Sequence, residues 1–246
     1  HEAEENRLRM NGRFDGGLAF ADEIAVFTDG ARGTDGDTMT VSAATETTVF
    51  LQAGTDAKGS DPSAELVYPA ARDFARLFDR HAAAFARLKG DAELEIDVPD
   101  SDLPTDERIR LFREGGDQSM PLLYFEYGRY LMVSGSSGEL PLNLQGKWNE
   151  DLEPAWEADY HLDINLEMNY WFVETLGLDH AAGTLFNLIE RYVPHAKEMS
   201  KKLYGCRGPL MCIQTDVWGR VTPEAYGWAV WIGAAPWLGQ HLFRHW

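Results

Sequence analysis

The sequence predicts a mixed, mainly helical fold that begins in β structure and passes through a helical linker into a helical body. Three observations carry this. Residues 1–67 hold short β-branched and apolar runs separated by Gly and Asp. At Pro69 the apolar spacing changes from two residues to three and four. Beyond Met120, apolar helical patterns are joined by long loops rich in Trp and side-chain amides. The expected divisions are therefore 1–67, 68–118 and 119–246.

Arg13–Phe20 reads as a strand bounded by glycines, and Ile24–Thr28 as a second that leads into a Gly- and Asp-rich loop. Thr38–Ser42 and Thr47–Ala53 are further short strands, and the set reads as the C-terminal part of a β-sandwich. From Ala70 to Leu88, the residues Phe74, Leu77, Phe78, Ala82, Phe85 and Leu88 mark one helix face, which Gly90 ends. Leu94–Val98 alternates and predicts a strand closed by Pro99. Thr105 is the expected N-cap of the next helix, with acids in its first turn. Met120–Val133 is a strongly apolar helix. The closing run Trp237–Trp246 is aromatic and helical with no breaker after it, so the sequence is expected to be a piece of a longer protein.

Composition narrows the function. A net charge of −18 among 246 residues disfavours a nucleic-acid partner, because phosphate binding needs clustered Lys and Arg. No apolar run approaches the ~18 residues of a membrane span. With 44% hydrophobic residues and eight Trp, the chain is expected to be globular, with a neutral or small-molecule partner. Cys206 and Cys212 lack a second pair for a zinc site, which leaves a small-loop disulfide or two buried thiols. No metal or cofactor is expected.

Three segments carry candidate chemistry. The loop 134–156 holds Gln145, Trp148 and Trp156, suited to a sugar-binding rim or to packing of the loop on itself. Further on, His161, Asp163, Asn165, Glu167 and Asn169 alternate with apolar residues. Spacing puts His161, Asp163 and Asn165 on one face, whereas Met168, Trp171, Phe172, Thr175 and Leu176 demand a helix in the second half. Asp216, beside Thr215 and Trp218, suits orientation of a water or a sugar hydroxyl, or a cap. His241 and His245, one turn apart, suit a metal pair or an ordinary helix face.

Long ordered motifs give these segments a common context. Leu103–Arg108 (Leu-Pro-Thr-Asp-Glu-Arg), Tyr124–Leu131, Leu140–Asn149 (Leu-Pro-Leu-Asn-Leu-Gln-Gly-Lys-Trp-Asn), Asp159–Trp171, Tyr204–Gly208 and Thr215–Gly219 resemble the catalytic region of glycoside hydrolase family 95, the inverting α-L-fucosidase family. The resemblance implies the end of an N-terminal β-sandwich, a helical linker and the first part of an (α/α)₆ barrel. It also implies single-displacement hydrolysis of terminal α-L-fucosyl or related α-L-sugars, with water attacking opposite the leaving oxygen. By motif, the catalytic pair falls on Asp163 and Asn165. Sugar contacts fall on His161, and Trp237 and His241 match positions near the pocket, with Gln145, Trp148, Asp216 and Trp218 as further binding candidates. The general acid and a polarising Asp would lie beyond Trp246, so 1–246 by itself is expected to be inactive. An extracellular or periplasmic location is implied. Two segments depart from the family pattern: Asp163 replaces an Asn, and Cys212–Gln214 replace His-His-Asn. These departures keep open a different sugar specificity or a non-catalytic carbohydrate-binding relative.

Overall fold

The computed structural model describes residues 2–4, 6–68, 73–223 and 231–246, which form two compact units, His1–Arg80 and His81–Trp246. In the first unit, β1 (Glu2–Glu4), β2 (Arg7–Arg13), β3 (Ala19–Thr28) and β6 (Thr47–Thr55) make an antiparallel sheet in the order β1-β2-β3-β6. A separate hairpin pairs β4 (Ala31–Asp35) with β5 (Thr38–Ser42).

The expected strand Arg13–Phe20 is instead broken by the turn 14–18, with Arg13 ending β2 and Ala19 opening β3. Asp15, Gly16 and Gly17 supply the turn chemistry there, and Phe14 N–H closes onto Leu18 O at 3.0 Å. Opposite Arg9 in the ladder stands Glu23, 1% exposed, held by Arg7 and Arg9. Burial raises its carboxyl, but the Tyr68 hydroxyl and the two guanidiniums outweigh that and hold it below the usual range. Tyr68 is pushed up to about 12 by burial and by the neighbouring Glu23 carboxylate.

Helix α1 (Phe74–Leu88) follows the predicted period, and the expected start at 70–72 lies outside the described residues. Leu94–Val98 forms no ladder. Alternation alone makes no strand without a partner edge, and Val98 N–H turns back to Ile96 O at 2.9 Å. In α2 (Thr105–Arg113), Pro104 occupies the cap and Thr105 is the first helical residue. The proline ring fixes φ, and its carbonyl accepts the first helical bond, from Arg108 N at 3.0 Å. The Arg108 guanidinium is buried against Asp117 (2.8 Å) and Ser119 (2.9 Å), which ties α2 to the start of α3 (Met120–Gly135).

The core of the second unit is built on α5 (Asp179–Tyr204). Its Leu185, Leu188, Ile189, Tyr192 and Ala196, at steps of three and four, pack with Met132, Leu162, Leu166, Tyr170 and Leu238. Gly205 in the left-handed region ends the helix. Three buried tyrosines fix the loops above this core. Tyr160 donates to Pro141 O (3.1 Å), Tyr170 Oη accepts from Leu142 N (3.0 Å), and Tyr192 Oη accepts from Cys212 N (3.0 Å). Tyr192→Phe strands the buried Cys212 N–H, and the expected cost is about 1–3 kcal/mol in denaturant unfolding of the full-length protein. The two cysteines are not joined to each other: Cys206 is exposed, and Cys212 is buried with Sγ donating to Val221 O at 2.9 Å. Of the two alternatives, the disulfide is not formed, and the buried-thiol reading holds for Cys212 but not for Cys206.

Candidate active site

A two-residue ladder sets the site. β7 (Tyr160–His161) pairs antiparallel with β8 (Gln214–Thr215), matching His161 to Gln214. Leu162 N–H continues the ladder to Ile213 O at 2.6 Å, and the Trp231 indole donates to Leu162 O at 2.9 Å. The chain then turns into α4 (Asn165–Asn169). Alternation through this stretch buries Leu162 completely and sends its polar neighbours the other way. His161, Asp163 and Asn165 line one cavity of about 340 Å³ with Leu144, Trp156, Ile213 and Gln214.

At Asn165 the period changes from strand to helix. Two helical steps of about 100° each rotate Glu167 away from the cavity face, and it enters the core fully buried. Its neighbour Leu166 is likewise buried, so α4 is held from beneath while Asn165 stays open to solvent.

His161 is held at its Nε2. Its Nε2 lies 2.9 Å from Asp159 Oδ1 and 2.6 Å from the Gln214 side-chain amide. Asp159 Oδ2 in turn lies 3.3 Å from Arg220 Nη2, so a carboxylate–guanidinium pair stands behind the imidazole. Trp156 meets the His161 ring edge-to-face, with centroids 6.0 Å apart. It is placed there by three successive left-handed residues, Trp156, Glu157 and Ala158, with φ of 56°, 59° and 46°. Each such non-glycine residue costs about 1–2 kcal/mol, the kind of strain that clusters at binding sites.

The other candidates separate from this cavity. Asp216 and Trp218 line a neighbouring groove of about 380 Å³ with Asn143, Lys147 and Asp159. Asp216 Oδ1 accepts from Trp218 N (2.9 Å) and Arg220 N (3.1 Å), so its carboxylate also caps its own loop. Gln145 and Trp148 sit in a self-bonded turn, where Gln145 Oε1 accepts from Asn149 (2.8 Å) and Trp148 N–H returns to Gln145 O (3.0 Å). Trp237 and His241 lie on α6 (Ala234–His245) and are not among the cavity's lining residues. His241 is buried, whereas His245 turns to Glu174 at 3.0 Å, and the described residues hold no cluster of three metal-binding groups.

One residue of the site escaped the sequence reading, and two others were marked there only as departures from the family pattern. Asp159 was legible only as the start of a motif. Ile213 and Gln214, two of the three residues that stand where the family has His-His-Asn, lie in the cavity wall itself, while Cys212 points into the core.

Residues 73–246 match the glycosyl hydrolase family 95 catalytic domain. The chain is 30% identical over 181 residues to alpha-L-fucosidase 2 of Arabidopsis thaliana, covering 70% of this chain and 22% of that protein. It is 31% identical over 198 residues to a probable alpha-fucosidase A of Aspergillus niger (76% of this chain, 25% of that protein). A probable alpha-fucosidase A of Aspergillus oryzae is 31% identical over 200 residues, covering 76% of this chain and 26% of that protein. The chain thus spans about a quarter of the length of the curated relatives it matches. The family match runs without a break through every segment that lines the cavity, and on that ground the chain belongs to glycoside hydrolase family 95.

Proposed function

We propose that the full-length protein is an inverting glycosidase. It removes terminal α-L-fucosyl or closely related α-L-sugar residues from oligosaccharides or polysaccharides, and 119–246 forms the first part of its (α/α)₆ barrel. The observation that carries the reading is the convergence of His161, Asp163 and Asn165 on one polar cavity. In this reading Asn165 orients a water and Asp163 takes its proton as the oxygen attacks the anomeric carbon. The bond to the leaving oxygen breaks as an acid on the opposite face, supplied from outside 1–246, protonates it. An inverting site holds the two carboxyl groups about 6.5–9.5 Å apart, which leaves room for that water. His161, held by Asp159 and Gln214, offers a hydrogen bond to a sugar hydroxyl, and the Trp156 face covers the apolar side of the ring.

Ile213 and Gln214 in the wall support a sugar preference of this chain's own, because a buried polar partner discriminates strongly between hydroxyl patterns. The test compares kcat/KM of the full-length protein on aryl α-L-fucoside and aryl α-L-galactoside. Turnover of either supports the reading and the ratio assigns the sugar. A folded protein that binds these sugars but cleaves neither is a carbohydrate-binding relative, and the reading fails. The proposed setting is extracellular or periplasmic; among the described residues no helix is long and apolar enough to cross a membrane.

A further inference from the structure

In the first turn of α4 a carboxyl group is buried where nothing holds it. Glu167 has no solvent exposure, and neither carboxyl oxygen has a hydrogen-bond partner among the described residues. On α6, His241 is 3% exposed, and its Nε2 is likewise unpartnered among the described residues. The two are neighbours: α4 packs on α6, and the Glu167 backbone carbonyl acts on the His241 ring. The catalytic reading above uses neither side chain.

A carboxylate stripped of both water and donors is far costlier than the neutral acid, so such a group takes up a proton. Burial pushes the Glu167 carboxyl up to about 7 against the pull of its own backbone N–H, and the charge of Asp163 adds to the rise. Burial also lowers His241, with Arg244 reinforcing the effect and the Glu167 carbonyl opposing it. The charged groups acting on the pair are thus Asp163 ahead of α4 and Arg244 on α6. Acid and ring are displaced in opposite directions, each toward its neutral form, so no proton passes from one to the other.

We propose that Glu167 is a positioning residue held as the neutral acid beneath the cavity beside an uncharged His241, so that the negative charge next to the attacking water stays on Asp163 and loss of the Glu167 proton disables the site. An ionised Glu167 would repel Asp163 and seek water, which pulls on the same turn that presents Asn165. The effect on turnover rests on the glycosidase reading; the charge state of Glu167 does not.

The test uses the full-length protein with glutamate labelled by carbon-13 at the side-chain carboxyl. The expected result is a carboxyl signal that titrates near 7 and is missing from Glu167→Gln, or from Glu167→Asp should the glutamine variant fail to fold. The sign for stability follows. A carboxyl raised in the fold contributes stability that is full below its unfolded value of 4.5 and lost as pH rises through about 7, and Glu167→Gln flattens that slope. In activity, the drop in kcat/KM between about pH 6 and about pH 8 is expected to shrink about threefold or more in Glu167→Gln. Every glutamate signal titrating in the ordinary carboxylate range overturns the proposal, as does a pH profile unmoved by Glu167→Gln. If no sugar is cleaved, the glycosidase reading fails by itself, and the carboxyl titration still decides the state of Glu167.

Discussion

Asp163→Ala in the full-length protein is expected to lower kcat by about 10²–10⁴-fold while KM moves by less than about tenfold. Asp163 is an exposed carboxylate on the cavity wall, two residues beyond His161 and two before Asn165. Taking the water's proton is an interaction made only as the transition state forms, so its loss falls on kcat. A group that merely binds a sugar hydroxyl serves the ground state and the transition state alike, and its loss falls on KM. Steady-state kinetics over a range of substrate concentration separates the two, and a change confined to KM would reduce Asp163 to a binding residue. Asp163→Asn restores the residue type of the family pattern. Partial activity there would show that an amide pair can hold the water, whereas loss equal to that of the alanine variant assigns the proton to the carboxylate.

Gly90→Ala is expected to destabilise the second unit by about 3–5 kcal/mol. Gly90 lies in the left-handed region at φ 70°, and a Cβ there would run into the backbone carbonyl of Leu176 and the backbone of Gly177. Side-chain overlaps are relieved by a change of rotamer. Here both sides are backbone, so one chain must move, and Leu176 is buried in the core that carries α4 and α5. Gly208→Ala is the matched control, because a Cβ there meets nothing within 4 Å, and a change within about 0.5 kcal/mol is expected. Urea unfolding of both variants gives the comparison. Equal midpoints would mean that the Gly90–Leu176 contact is not tight in solution.

Periodicity was informative where a single element supplies both faces. The spacing of Phe85 and Leu88 placed them on the core side of α1, and the alternation from His161 to Asn165 placed three polar groups on one wall. It misled where an element needs a partner: Leu94–Val98 alternates as a strand would, yet among the described residues no edge pairs with it. In the first unit the Gly- and Asp-rich stretch before Thr38 concealed β4, which forms because Thr38–Ser42 returns alongside it. The support of His161 was illegible for a similar reason. Its contact with Gln214 spans 53 residues, and nothing local marks Gln214 as the partner. Glu167 sat in the same alternating series as Asp163 and Asn165. Only the change of period at Asn165 turns it inward, and a polar residue at an alternating position does not announce which period will win.

The most direct measurement follows hydrolysis of an aryl α-L-fucoside by the full-length protein with proton NMR, recording which anomer of the free sugar appears first. Attack by the water held at Asp163 and Asn165, opposite the leaving oxygen, predicts the β-anomer, with the α-anomer growing in later by mutarotation. Initial release of the α-anomer would require a covalent intermediate and would contradict a single displacement at this cavity.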